Sequence, residues 1–325
     1  MKKVLHIGLN SDLHSHLGIK KGFLKAGFTE YNFYDWQSVR MNTGVQGCQA
    51  RMIVAAKNLQ PDLIFMHLQN DSICDDETIS ELSRIAFTVN FTFDVRDEDN
   101  TEWYYQLAPY FGLTLFACKE DEDEARRRGI INVGHIHSSC DTDVYHPMQL
   151  SDEQKSKYPE IVFIGNNYER TNHQFEKSKE REEMVNFMKA EFGDRFGVFG
   201  INWGHESRII NPQEENMIYN SAKIVICHNN FYRASYCSDR DWRALSCGVL
   251  VIRQFYPGLT NEFIRWKNFE DLKEKCLFAL SIDAYRKVIG RENRELFLNE
   301  HTWQKRVEQI KDMIHAITGK QSTAV

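Results

Sequence analysis

Short apolar runs alternate with charged, helically spaced segments along most of the chain. "KVLHIGL" (3–9), "YNFYDW", "PDLIFMHL", "AFTVNFTFD", "LTLFAC" and "NVGHIH" are apolar, with β-branched or aromatic members, and each is short enough for a buried strand. Between them, "SHLGIKKGFLKAGF", "CQARMIVAAKNL", "DETISELSRI" and "KEDEDEARRRG" have the spacing of helices. Strands separated by helices predict βαβ units and a parallel sheet. The pattern breaks at "SSCDTDVYHPMQLSDEQKSKYP", which is polar, has no sustained period and carries two of the six prolines, and reads as a linker.

A second alternating series follows: strand "EIVFIGNN", helix "SKEREEMVNFMKAEF", strand "RFGVFG", helix "PQEENMIYNSA", strand "KIVICHNN", helix "SDRDWRALSC" and strand "GVLVI". From Glu262 onward the pattern is almost entirely helical, ending in the amphipathic "TWQKRVEQIKDMIHAI". The predicted fold class is α/β, with two Rossmann-like, doubly wound domains. The expected boundaries are 1–140 for the first domain, 141–158 for the linker, 159–300 for the second domain, 301–318 for a closing helix and 319–325 for a disordered tail. Ligands of such sheets bind at the carboxyl ends of the strands. That rule directs attention to the loops after Leu9, Phe93, Ile164, Ile226 and Ile252, facing a cleft between the domains.

The 325 residues exceed a usual single domain, in keeping with two. No apolar run reaches the roughly 20 residues of a membrane span, and the start reads as a first strand rather than a signal peptide. The formal net charge of −6 argues against broad nucleic-acid binding. The eight cysteines form no C-x-x-C pair and match no zinc spacing, so buried thiols in a reducing cytoplasm are expected. No metal site and no cofactor is expected.

Four stretches hold candidate chemistry. In "SDRDWRALSCG" Ser238 is a good N-cap, and Trp242 and Leu245 share the core-facing side. Arg240 and Arg243 share another face, near the positive end of the helix, where cations are disfavoured by about 0.3–1 kcal/mol. Two readings are open: Asp239 and Asp241 neutralise the arginines, or a bound anion such as a diphosphate does. In "FIGNNYERTNHQFEKSKERE" the Gly165-Asn166-Asn167 turn allows close backbone approach to a ligand, and Arg170 follows. Most of the charges there read as a solvated helix face, and neither a dinucleotide fingerprint nor a P-loop is present. In "NFTFDVRDEDN" Asp94 is the first residue past an apolar run and a candidate base, whereas Asp97, Glu98 and Asp99 read as an acidic turn. In "GLNSDLHSHLG" His14 and His16 flank Ser15, and His14 is the weaker catalytic candidate.

The C-terminal half resembles the CgeB-like glycosyltransferases of the GT-B superfamily. The resemblance is carried by "SDRDWRALSCGVLVIRQFYPGLTNEF", with its A-L-x-C-G and P-G-L elements, by "FEDLKEKCLFAL" and by "LNEHTWQKRVEQI"; "GIINVGHIHSSCDTDVYHP" extends it into the first half. It implies a C-terminal domain binding a nucleotide-diphosphate sugar, an N-terminal domain binding a hydroxyl acceptor, no catalytic metal, and a last helix returning to the first domain. Mapped onto this chain, donor contacts are expected from Gly165, Asn166, Arg170, Asn229, Asn230, Ser238, Arg240, Arg243 and Gly258. Arg243 stands where many retaining relatives have a ribose-binding glutamate. The implied activity is metal-independent transfer of a sugar to a polysaccharide, surface glycan or other hydroxyl. Hydroxymethylated phage DNA is an alternative acceptor. A non-catalytic nucleotide-sugar binder and a sugar-nucleotide epimerase are alternatives of other classes.

Overall fold

Runs of three to six residues, the central ones buried on both faces, form the strands, and they pair in parallel because a helix follows almost every one of them. The computed structural model describes residues 1–10, 16–95, 101–172, 174–257 and 263–322. It divides into two units, Met1–Ser138 with Trp303–Val325, and Ser139–Thr302.

The first unit contains β1 (Lys3–Gly8), α1 (Leu17–Lys25), β2 (Glu30–Asp35), α2 (Trp36–Leu59), β3 (Leu63–Met66), α3 (Asp76–Ile85), β4 (Phe87–Phe91), α4 (Glu102–Leu107), β5 (Leu113–Phe116), α5 (Lys119–Arg127) and β6 (Val133–His135). Its sheet has the order β2-β1-β3-β4-β5-β6, and every pair is parallel. One face packs Val4, Phe65, Val89 and Leu115, and the other packs Leu5, Ile7, Ile64 and Met66, as the period-two alternation of a doubly covered sheet requires. Helix α2 starts twelve residues before the predicted "CQARMIVAAKNL" and is interrupted at Gly44, whose φ of 72° is left-handed.

The second unit contains α6 (Asp152–Lys155), β7 (Ile161–Ile164), α7 (Ser178–Phe192), β8 (Phe196–Phe199), α8 (Pro212–Ser221), β9 (Ile224–Cys227), α9 (Asp239–Cys247), β10 (Leu250–Gln254), β11 (Ile264–Trp266), α10 (Phe269–Ser281) and α11 (Asp283–Leu296). Its parallel sheet has the order β11-β10-β9-β7-β8. The strand order therefore reverses between β7 and β9, the switch point at which open α/β sheets bind ligands. Strand β11 departs from the helical pattern expected after Glu262. It is an edge strand of three residues, of which only Trp266 is buried, so it carries too little apolar signal to be seen in the sequence.

Residues 139–158 are not the free connector their composition suggests. Cys140 and Tyr145 are buried in the core, and the backbone is stitched to α8 and α9. Asn216 Oδ1 accepts from His146 N at 3.2 Å, Asn220 Nδ2 donates to His146 O at 2.9 Å, and Ser246 Oγ donates to Tyr145 O at 2.6 Å. A backbone held by side chains of other elements needs no apolar period of its own.

The closing helix α12 (Trp303–Ser322) belongs to the first unit and runs past residue 318 into the segment expected to be a disordered tail. Trp303, Val307, Ile310 and Ile314 join the core beside Ile19 and Phe23 of α1. The approach is close enough that a Cβ at Gly22 would lie 2.6 Å from Trp303 Cβ. No helix among the described residues is long and apolar enough to cross a membrane.

Candidate donor site

Helix α9 has the local chemistry expected of it. Ser238 is the N-cap, and the Asp241 carboxylate accepts from Ser238 N at 2.9 Å, half of a capping-box exchange. Gly248 ends the helix at φ 74°, and Trp242 and Leu245 are buried. The helix start is held from below by Arg253 of β10, which is fully buried. Its Nη2 donates to Tyr236 O at 2.5 Å and lies 3.4 Å from Asp241 Oδ2.

The two arginines of α9 have different fates. Arg243 turns towards α8: its Nη1 bonds Glu215 Oε2 at 2.9 Å, its Nη2 bonds Asp239, and its guanidinium lies 5.1 Å from the centroid of the Tyr145 ring. Glu215, itself buried, also accepts from the Tyr145 and Tyr219 hydroxyls at 2.7 and 2.8 Å. Arg243, expected at the donor, is instead engaged with Glu215 and Asp239 in an internal network. For Arg243 the neutralising partner is Asp239, while Asp241 serves the helix cap and Arg253. Arg240, half-buried in the first turn, makes no hydrogen bond or ion pair among the described residues. It lines a small pocket with Ile164, Tyr219, Cys227, His228 and Ser238.

A second guanidinium reaches the same sheet end from α7. Arg181 is fully buried, donates from Nη1 to Asn166 O at 3.0 Å and from Nη2 to His228 O at 2.6 Å, and leaves Nε without a partner. It thus bridges the loops after β7 and β9, the two strands at the switch point. No carboxylate bonds it. Burial, followed by the nearby charge of Arg240, lowers its proton affinity to about 9.

Arg181 was grouped with a solvated face, yet the sequence holds a signal for it. Ser178, Arg181, Met184, Val185, Met188 and Phe192 are the buried residues of α7 and follow one helical stripe. An arginine in register with that stripe faces the sheet.

The remaining candidates divide. Asn166, Asn229, Asn230 and Ser238 lie in the loops and cap at this sheet end. Asn229 Nδ2 donates to Tyr236 O at 3.1 Å, and Asn230 Oδ1 is buried without a partner. Gly165 is in place: its N–H donates to Phe199 O at 2.8 Å and its carbonyl accepts from Trp203 Nε1 at 2.7 Å. Arg170, expected at the donor, forms a surface ion pair with Glu182, 2.6 Å from Nε to Oε1. Asp94 is exposed beyond β4 in the first unit, with its backbone N bonded to Thr92 Oγ1 at 3.1 Å. His14, Gly258 and residues 97–99 lie outside the described residues. Among those described, no group of three or more His, Cys, Asp or Glu is arranged to hold a metal ion. All eight cysteines are buried and free.

Residues 170–312, which include the Arg181–Arg240 site, match a family described as glycosyl transferase-like. No curated protein matches the chain. Among solved structures, the fold is similar to a glycosyltransferase from Rickettsia africae ESF-5 at a TM-score of 0.63 and 13% identity, covering 98% of both chains. It is also similar to an α,α-trehalose-phosphate synthase (UDP-forming) from Burkholderia vietnamiensis at a TM-score of 0.60 and 8% identity, covering 96% of this chain and 99% of that one. An α1,3-fucosyltransferase gives a TM-score of 0.52 at 12% identity, with coverages of 97% and 91%. At these identities the structural likeness concerns the fold: the chain shares the two-unit α/β fold of GT-B glycosyltransferase structures, and within it residues 170–312 match the glycosyl transferase-like family.

Proposed function

We propose that the protein moves a sugar from a nucleotide-diphosphate donor to a hydroxyl acceptor, with the diphosphate held between Arg240 and Arg181. The observation that carries this reading is the pair of guanidinium groups at the switch point, neither bonded to a carboxylate. Burying a cation without a bonded carboxylate, as at Arg181, is costly, and the nearby charge of Arg240 adds to that cost, although Asp239 holds the Arg240 guanidinium itself in its charged form. A dianionic ligand removes both penalties, and the N-terminus of α9 adds its own partial positive charge.

The same groups would stabilise the diphosphate as it departs, because charge grows on its oxygens when the glycosidic bond breaks. In this reading the arginines do the work that a divalent cation does elsewhere, so turnover should survive a chelator. The printed name of one similar structure, the UDP-forming trehalose-phosphate synthase, makes UDP sugars the first donors to try. The buried thiols suit a reducing cytoplasm as the place of action.

The test is a panel of nucleotide sugars assayed for thermal stabilisation and slow donor hydrolysis. Stabilisation by one donor class is expected, and no response to any donor would overturn the proposal. A second reading, donor binding without turnover, is favoured by Arg243 in place of the carboxylate that its relatives use. Tight donor binding with no hydrolysis and no transfer to any acceptor would select it. The acceptor in this reading is a hydroxyl compound, a glycan or the hydroxymethylated DNA considered above.

A further inference from the structure

His228 follows β9 directly, and its side chain is fully buried. Its ring Nδ1 has no hydrogen-bond partner. Nε2 stands 3.5 Å from Glu180 Oε1, and the ring stacks over Trp266 with centroids 6.0 Å apart. The charged and titratable groups around it come from several elements, including Cys227 beside it on β9 and Tyr219 of α8 in the same small pocket. From α7 and its N-cap come Lys177, Glu180 and Arg181, the last bonded to the His228 carbonyl. From β10 and the loop after it come Gln254, which donates to Glu180, and Tyr256, which donates to Gln254 at 2.5 Å. Arg240 of α9 lines the same small pocket as His228.

Burial is the largest cause that brings His228 down to about 4, and the charges of Arg181 and Lys177 oppose the pull of Glu180. Glu180 is held near 2, chiefly by His228 and then by Lys177 against its own burial. At neutral pH this is a carboxylate beside a neutral imidazole whose Nε2 stands 3.5 Å from Glu180 Oε1, at the outer limit of a hydrogen bond, while Nδ1 has no partner.

We propose that His228 is a proton-accepting positioning residue of the anion site: a diphosphate seated against Arg181 and Arg240 cancels their field, and the ring takes up one proton from solvent and closes an ion pair with Glu180. This rests on the donor-site reading above. The proton adds a third positive charge near the diphosphate while the glycosidic bond breaks, and it returns to solvent when the nucleotide leaves. Proton uptake makes donor affinity rise as pH falls, by linkage.

The test is calorimetry with the intact UDP or GDP sugar that stabilises the protein, in buffers of different ionisation enthalpy between pH 5 and 6. A nucleotide sugar is chosen because its diphosphate, esterified at both ends, does not titrate there. Uptake of roughly half a proton or more is expected, with affinity at least about threefold tighter at pH 5 than at pH 7.5. His228→Asn should bind the donor with no uptake and a flat pH dependence. Where that variant does not fold, the imidazole Cε1 proton titrations of the wild type decide, since one histidine should move to higher pH on donor addition. Binding without uptake, or equal uptake in His228→Asn, would overturn this proposal alone. Failure of every nucleotide sugar to bind would overturn the donor-site reading and this proposal with it.

Discussion

Arg240 lies near enough to Arg181 for its charge to add to the effect of burial on that arginine, and neither guanidinium bonds a carboxylate. The relationship makes a sharp prediction. Arg240→Ala removes a like charge beside Arg181 together with the attraction of Asp239, and no hydrogen bond, so stability should stay within about 0.5 kcal/mol of wild type. Donor affinity or rate should fall tenfold or more, as the loss of a charge-assisted bond of about 1.5–3 kcal/mol implies. Thermal unfolding and donor titration of the one variant separate the two effects. A clear drop in Tm with normal binding would assign the residue to folding.

Arg243 should behave in the opposite way. Arg243→Ala leaves the buried Glu215 carboxylate without its cation, a loss of about 3–5 kcal/mol. Arg243→Glu brings three carboxylates together with Glu215 and Asp239 and should cost more. Urea unfolding of both variants checks the order. Wild-type stability in Arg243→Ala would mean that the network contributes nothing.

Gly22 sets how closely α1 and α12 approach. A Cβ there meets Trp303 Cβ at 2.6 Å and Trp303 backbone atoms at 2.7 and 2.8 Å, and backbone yields little. Gly22→Ala should destabilise by about 1–3 kcal/mol through overpacking, outweighing the alanine's better helix propensity. Denaturant unfolding of this variant measures the effect, and an unchanged midpoint would show that the helices separate freely.

Acid should weaken the fold before its carboxylates titrate. His6 and His135 in the first unit and His228 in the second all have proton affinities lowered first by burial. Each is neutral when folded and protonates near 6.5 when unfolded, so the unfolded chain binds the extra protons and stability falls as pH drops through 6.5. For His228, with a folded value of about 4, the loss reaches roughly 3 kcal/mol by pH 4. Denaturant midpoints at pH 7.5, 6 and 5 should decline in that order, and a flat series would refute the assignment of neutral buried rings.

Much of the architecture was legible because it is encoded locally. Runs such as "LIFM" and "IVIC" are buried on both faces, and that requirement shows directly in composition. Ser238 and Gly248 marked the ends of α9 because caps act within one turn. Strand β11 was missed because a short edge strand needs little apolar surface, and the bound state of residues 139–158 was hidden because the partners are side chains of α8 and α9 far along the chain.

The chain by itself determined two parallel-sheet α/β units, the position of α9 and the clustering of candidate chemistry at the carboxyl ends of β7 and β9. Periods, caps and apolar runs are properties of neighbours in sequence. Only the tertiary structure decided which arginines are bonded to carboxylates and which are not. Glu215, 28 residues before Arg243 in the chain, claims that side chain, while Arg181 and Arg240 converge from two helices with no carboxylate bonded to either. A charge is spent or left available according to what the fold brings beside it, and that is settled by contacts distant in sequence.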